Sequence, residues 1–446
     1  MFESPARLMI PVLALVMAPS VVRAEDHAPG LSLEEVERRA VETFPEVQAA
    51  RARAERLEAE LSEVLWRPFS EVSVGGVVAP TPERRGDAVH SAQDDLSLSG
   101  DMGVLVRVEA DLSLPLYTFG RLDAERDAAR ERVTVGREEV RLTRDQVRLK
   151  VVRAYYSLLL AEQSRSLLEE GQGYIKRAQR VIDRSLEEDD GMVTESDRLQ
   201  VMVLDAEVDA RMSDARRAIA LARAALRVLG GLDRDEVVAT PALEPAACTL
   251  RPLEEYVESA LKNRPEVAAA RARTREGESR VRAERARYFP EIRLVGNLDY
   301  SYSNVVDDQN NPFVYDPANY LRYGLGLSMR WGLDFMTDRA RVRQADARVR
   351  ESRAGEEDVV RDVSLQVEQS RIDVESFQAL VDARARGRRA ARGWLVSILQ
   401  GIDVGVLEPP ELVDALRAYF EQSFLYYEAV AQLDTAIAAL RVASGE

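Results

Sequence analysis

Glu411 and Asp414 stand three residues apart directly after Pro410, so in a helix their carboxylates share one face. Two such groups side by side attract cations. A proline followed by acids in the first turn is equally a good helix start, stabilised by the helix dipole. A second acidic run, Glu187-Glu188-Asp189-Asp190, reads first as a solvated helix end, with a cation-attracting entrance as the functional alternative. Other familiar chemistries lack their residues. His27 and His90 are the only histidines and have no clustered partners for a metal site. No glycine-rich loop runs into Lys-Ser or Lys-Thr, and no Ser-His-Asp or Cys-His arrangement is available. Neither an enzyme nor a metal or cofactor site is expected. Cys248 is the single cysteine, which excludes an intrachain disulfide, and it reads as a buried linker residue.

The elements that position the acids come in two copies. Pro45-Glu46-Val47 followed by Ala49-Ala50-Arg51-Ala52-Arg53 returns as Pro265-Glu266-Val267 followed by Ala269-Ala270-Arg271-Ala272-Arg273. Such repetition marks an internal duplication. Each copy continues through a helical pattern, two alternating strands with a polar loop between them, and a very long helical pattern. The fold class expected is mainly α with a duplicated helix–strand–strand–helix unit. Strands are placed at about 71–78, 102–117, 291–303 and 321–333. Met102, Val104, Val106, Val108, Ala110, Leu112, Leu114 and Leu116 alternate with residues that include Arg107, Glu109, Asp111 and Ser113. Such strands suit an outer-membrane barrel, apolar outside and polar inside; an ordinary sheet with one face on a soluble core is the alternative. Four strands do not close a barrel, so the missing ones must come from other copies of the chain.

Helices are placed at about 121–188, 194–229, 337–400 and 411–442. The first has no internal proline and would be roughly 100 Å long at 1.5 Å per residue. Helices of that length cannot wrap a globular core and must lie side by side in a coiled coil or helical barrel. The expected organisation is a first repeat over 25–230, a linker over 231–252 that carries Gly231, Pro241, Pro245 and Pro252, and a second repeat over 253–446.

Residues 1–24 read as a secretory signal: Arg7, an apolar run from Leu8 to Met17, then Val22-Arg23-Ala24. A short buried helix is the alternative. Glu3, Arg7 and Arg23 carry a net +1, so removing the segment takes the net charge from −16 to −17. Such acidity argues against nucleic acid as a partner. No later apolar run approaches the roughly 20 residues of a membrane helix, so any span must be made of strands.

Asn263-Arg264-Pro265-Glu266-Val267, Pro115-Leu116-Tyr117-Thr118-Phe119-Gly120-Arg121 and Val152-Arg153-Ala154-Tyr155-Tyr156, in their order and duplication, resemble the TolC family of outer-membrane efflux and secretion channels. The resemblance covers nearly the whole mature chain. It implies a homotrimer whose three copies of four strands close a 12-stranded β-barrel in outer-membrane lipid, continued by a long periplasmic α-helical barrel. It also implies a passive exit duct of a tripartite efflux pump or type I secretion system, gated at its periplasmic helix tips, with a periplasmic adaptor and an inner-membrane transporter as partners. Matching residue by residue puts Gly191, Met192, Val193 and Asp197 on the first adaptor-contacting tip and Gly405, Val406 and Leu407 on the second. Glu411 and Asp414 then fall at the periplasmic constriction, with glutamate where the family usually has aspartate. Pro409-Pro410 stiffens a turn where the family has small or polar residues. A periplasmic coiled-coil scaffold or adaptor without a pore is the rival reading, and a member that has lost its pore is a third.

Overall fold

The computed structural model describes residues 30–69, 71–85, 95–96, 101–188, 193–309, 313, 315–403 and 410–446. The expected signal segment lies outside them. Each repeat opens with a helix broken by its proline. In the first, α1 (Leu33–Thr43) and α2 (Pro45–Trp66) are separated by Phe44 at φ −66 and ψ 132. In the second, α5 (Leu253–Asn263) and α6 (Pro265–Ala286) are separated by Arg264 at φ −69 and ψ 133. A residue before proline is driven out of the helical region into extended backbone, while the proline itself suits a helix start. The duplicated sequence words are therefore two copies of one backbone corner. Val47 and Val267 bury the inner side of each.

The sheet follows from two hairpins. Its strands are β1 (Val72–Pro82), β4 (Met102–Tyr117), β5 (Glu291–Ser303) and β6 (Tyr320–Arg330), all antiparallel in the order β1-β4-β5-β6. A two-residue ladder, β2 (Arg84–Arg85) with β3 (Asp95–Leu96), lies in the first hairpin. The β4–β5 pairing, with Val108 opposite Tyr300, joins the two repeats. β1 runs four residues beyond the expected 78, through Pro80 and Pro82, because it is the sheet's edge within the chain and an edge strand tolerates residues that cannot donate. β6 ends at Arg330, not at 333, because Glu291, the first residue of β5, pairs with Arg330 and leaves Trp331 and Leu333 no partner strand. Trp331 instead donates its indole N–H to the Tyr288 carbonyl at 3.1 Å.

Val74, Val78, Tyr323, Leu325, Leu327 and Met329 are exposed on the apolar face of this sheet. An ordinary sheet over a soluble core would bury that face, so that alternative does not describe this chain. No helix of the described residues is long and apolar enough to cross a membrane.

Four long helices continue from the strands: α3 (Arg121–Glu188), α4 (Glu195–Gly230), α7 (Phe335–Asp403) and α8 (Pro410–Ser444). β4 passes into α3 through a tight turn in which Phe119 and Gly120 both have positive φ, 50 and 83. Glycine takes that backbone without strain; Phe119 is held there by Tyr117 at 4.6 Å and by stacking on Phe289 at 5.1 Å between ring centroids. Near the sheet α2 packs on α3, α3 on α6 and α6 on α7; farther away the neighbours are α4 with α3, α3 with α8 and α8 with α7. One core joins both repeats through Val36, Val151, Leu158, Leu226, Val267 and Val367. A second, toward the far ends, contains Ile175, Ile182, Leu204, Leu395 and Leu416.

The linker between the repeats forms no helix or sheet strand and is pinned at several points. Val238 forms a bridge with Leu31, Ala246 N–H donates to Asp434 at 2.9 Å, and the Cys248 carbonyl accepts from Gln378 at 2.8 Å. Cys248 is free and half-buried.

Candidate functional site

The first tip is built by helix capping. Thr194 precedes α4 and donates from its backbone N–H (2.8 Å) and its hydroxyl (2.7 Å) to Asp197 Oδ2. Asp197, matched to the tip by sequence, is thus tied into the helix start. Val193 is buried in the second core. Gly191 and Met192 lie outside the described residues, as do Gly405, Val406 and Leu407 of the second tip.

Glu411 and Asp414 lie on the first turns of α8, both exposed, while Leu412 and Val413 between them are buried. Neither carboxylate has an ion pair or hydrogen bond among the described residues. One turn on, Arg417 reaches Glu207 of α4 at 3.7 Å. Behind this face α8 is fastened to α3. Tyr174 and Tyr419 both donate to Glu170, at 3.1 and 3.5 Å, and burial followed by the Glu170 charge pushes the Tyr419 hydroxyl above its ordinary pKa.

The polar face of the sheet holds a second set of charges that sequence reading showed as alternation without assigning partners. Register sets Glu109 opposite Asp299, Asp111 opposite Asn297 and Asp299 opposite Arg322. Arg293 is buried near the start of β5, donating to Ser113 at 2.9 Å and pairing with Glu291 at 3.3 Å and with Glu71. Arg121, the first residue of α3, reaches Glu291 at 3.2 Å and ties the helix to that polar face. Such pairs depend on strand register, which alternation alone does not give.

The family model described as outer membrane efflux protein matches residues 38–232 and again residues 256–446, once per repeat. The chain belongs to the outer membrane efflux protein family. Solved structures share its fold at low identity. A membrane protein from Pseudomonas aeruginosa aligns over 93% of each chain with TM-score 0.73 and 19% identity. The open-state MtrE outer membrane channel of Neisseria gonorrhoeae aligns over 94% of this chain and 89% of its own, with TM-score 0.73 and 18% identity. The CmeC outer membrane channel of Campylobacter jejuni aligns over 99% and 94%, with TM-score 0.71 and 13% identity. No curated protein matches the chain.

Family members of this kind are outer-membrane efflux channels, not enzymes. Membership places this protein in the outer membrane, reaching into the periplasm. It also gives the exposed apolar face of β1, β4, β5 and β6 its solvent, the lipid hydrocarbon, and makes the face carrying Arg293 and Asp299 the inside of the channel.

Proposed function

We propose that this efflux protein works as a homotrimeric, passive exit duct whose narrowest point is set by Glu411 and Asp414. The observation that carries the reading is a four-stranded sheet with a bare apolar face and two edges, β1 and β6, that have no outer partner among the described residues. An uncovered apolar face is costly in water but not in lipid, while open edges are costly in both, and closure with neighbouring copies removes the edges. Three copies would give 12 strands, enough for a barrel with an aqueous interior.

The long helices would then continue the wall into the periplasm. Their far ends are where a periplasmic adaptor would dock, and an inner-membrane transporter would supply the energy, since this chain is read as having no catalytic centre. Gating follows if the adaptor binds the splayed tips better than the closed ones, which shifts the population toward the open duct. Glu411 and Asp414, unpaired among the described residues, would meet their symmetry mates at the axis and favour cations there.

The test is the mass of the detergent-solubilised particle, measured by light scattering with the detergent contribution subtracted. A mass of three chains, extracted from membranes only by detergent, fits the duct. A protein released by an alkaline wash would fit the periplasmic scaffold instead.

A further inference from the structure

Just inside the junction of sheet and helices lies an open groove of about 450 Å³, lined by segments of four helices. Arg67 of the α2 end, Arg132 of α3, Arg280 and Arg287 of α6, and Arg341 and Arg348 of α7 surround it. Of the lining residues only Glu125 and Glu284 are acidic.

Its side of the wall follows from α3. Arg121 contacts Glu291, which lies on the polar face of β5 with Arg293 and Asp299. Glu125, Ala128 and Arg132 follow Arg121 at helical spacing and share its face. The groove therefore opens to the inside of the channel.

At three of these arginines the paired acid is less exposed than the guanidinium. Glu276 side chain is 16% exposed against 49% for its partner Arg280, Glu284 28% against 42% for Arg287, and Asp338 8% against 46% for Arg341. At these three pairs a solute meets the guanidinium more readily than the carboxylate, whereas Glu63, the partner of Arg67, is 68% exposed against 60% for its arginine. Arg348 is exposed and has no ion pair among the described residues. Unfilled donors in a planar fork are what phosphate, sulfate and carboxylate groups satisfy with paired hydrogen bonds.

We infer that this groove is a binding site for multiply charged anions on the conduction path, so that the duct favours cargo bearing phosphate, sulfate or clustered carboxylate groups. The inference rests on the duct reading for its place on the path. Its sign is opposite to that of the acids at the entrance: cations are favoured at the tips, and anionic groups are held once past them.

Tripolyphosphate is the probe. Titration calorimetry on the detergent-solubilised protein should show binding that weakens as salt rises, and R280Q/R287Q/R348Q should bind about tenfold more weakly or worse. Particle mass and melting temperature check that the variant folds; if it does not, Arg348→Gln alone makes the comparison, since that arginine gives up no ion pair. Absence of binding by the wild type at low salt, or equal binding by the variant, overturns the inference. In planar bilayers, tripolyphosphate added from the sheet side should block the wild-type current more strongly than that of the variant. An open current with no block counts against the anion site alone. Binding without any current supports the site and removes the duct.

Discussion

The ring of Phe420 on α8 occupies the space that a side chain at Gly171 on α3 would need. A Cβ built on Gly171 would lie 2.0 Å from Phe420 Cζ, and Phe420 is buried. This contact holds the second hairpin against the first, beside the Glu170–Tyr419 hydrogen bond. Gly171→Ala should lower stability by up to about 2 kcal/mol, because overpacking of about 1–3 kcal/mol is offset by a gain in helix propensity of about 1 kcal/mol. Phe420→Leu shortens the ring, so the double variant should lose less than the sum of the two single losses. Thermal unfolding followed by circular dichroism in detergent measures both, and additive losses would show that the two residues do not press on one another.

Arg264 and Phe44 fill the same corner in the two repeats, but only Arg264 brings a charge into it. Its buried guanidinium pairs with Glu266 and donates to Gln366 at 2.8 Å. Removing one partner of a buried pair leaves the other desolvated, so Arg264→Met should cost about 3 kcal/mol. Arg217→Ala is the contrast: its pair with Asp214 is 74% and 72% exposed, and the shift should stay within about 0.5 kcal/mol. Equal unfolding midpoints for the two variants would refute the distinction.

Two carboxylates should give stability opposite dependences on pH. Burial raises the pKa of Asp434 above the ordinary carboxylate value, against the lowering effect of the Ala246 N–H. A raised folded value means that its contribution is greatest below the unfolded value of about 3.9 and declines as pH rises through the folded one. Asp434→Asn should therefore melt higher than the wild type near neutral pH, with the gap closing as the pH approaches the unfolded value.

Glu35 runs the other way. Hydrogen bonds from Arg38 and then Arg39 lower its pKa to about 2, so its contribution is present above the ordinary glutamate value and is lost as pH falls through about 2. Glu35→Gln should melt below the wild type at neutral pH and converge with it in acid. Melting curves across the pH range test both signs, and parallel curves would contradict them.

Much of the architecture was legible in the sequence, because the two faces of each strand meet different surroundings and the helices carry their caps locally. Met102–Tyr117 is a strand over the residues whose alternation announced it, and Pro45 and Pro265 mark real corners. β1 was read short because Pro80 and Pro82 look like loop residues until the edge position of the strand is known. Contacts between the repeats were not legible: Glu170 and Tyr419 are 249 residues apart, and Gly171 gives no local sign that a ring lies on it. The arginine groove gathers residues from α2, α3, α6 and α7, each of which reads alone as an ordinary charged helix face. Spacing and family resemblance mark the tip acids; in the structure both are exposed and, among the described residues, unpaired within the chain.

Single-channel recording in planar bilayers, with the wild type against Glu411→Ala combined with Asp414→Ala, tests the gated duct most directly. The wild type should show small, cation-preferring openings, and the double variant larger ones with that preference reduced. A folded, detergent-extracted protein that carries no current would contradict the duct, and identical conductance and selectivity in the variant would remove Glu411 and Asp414 from its gate.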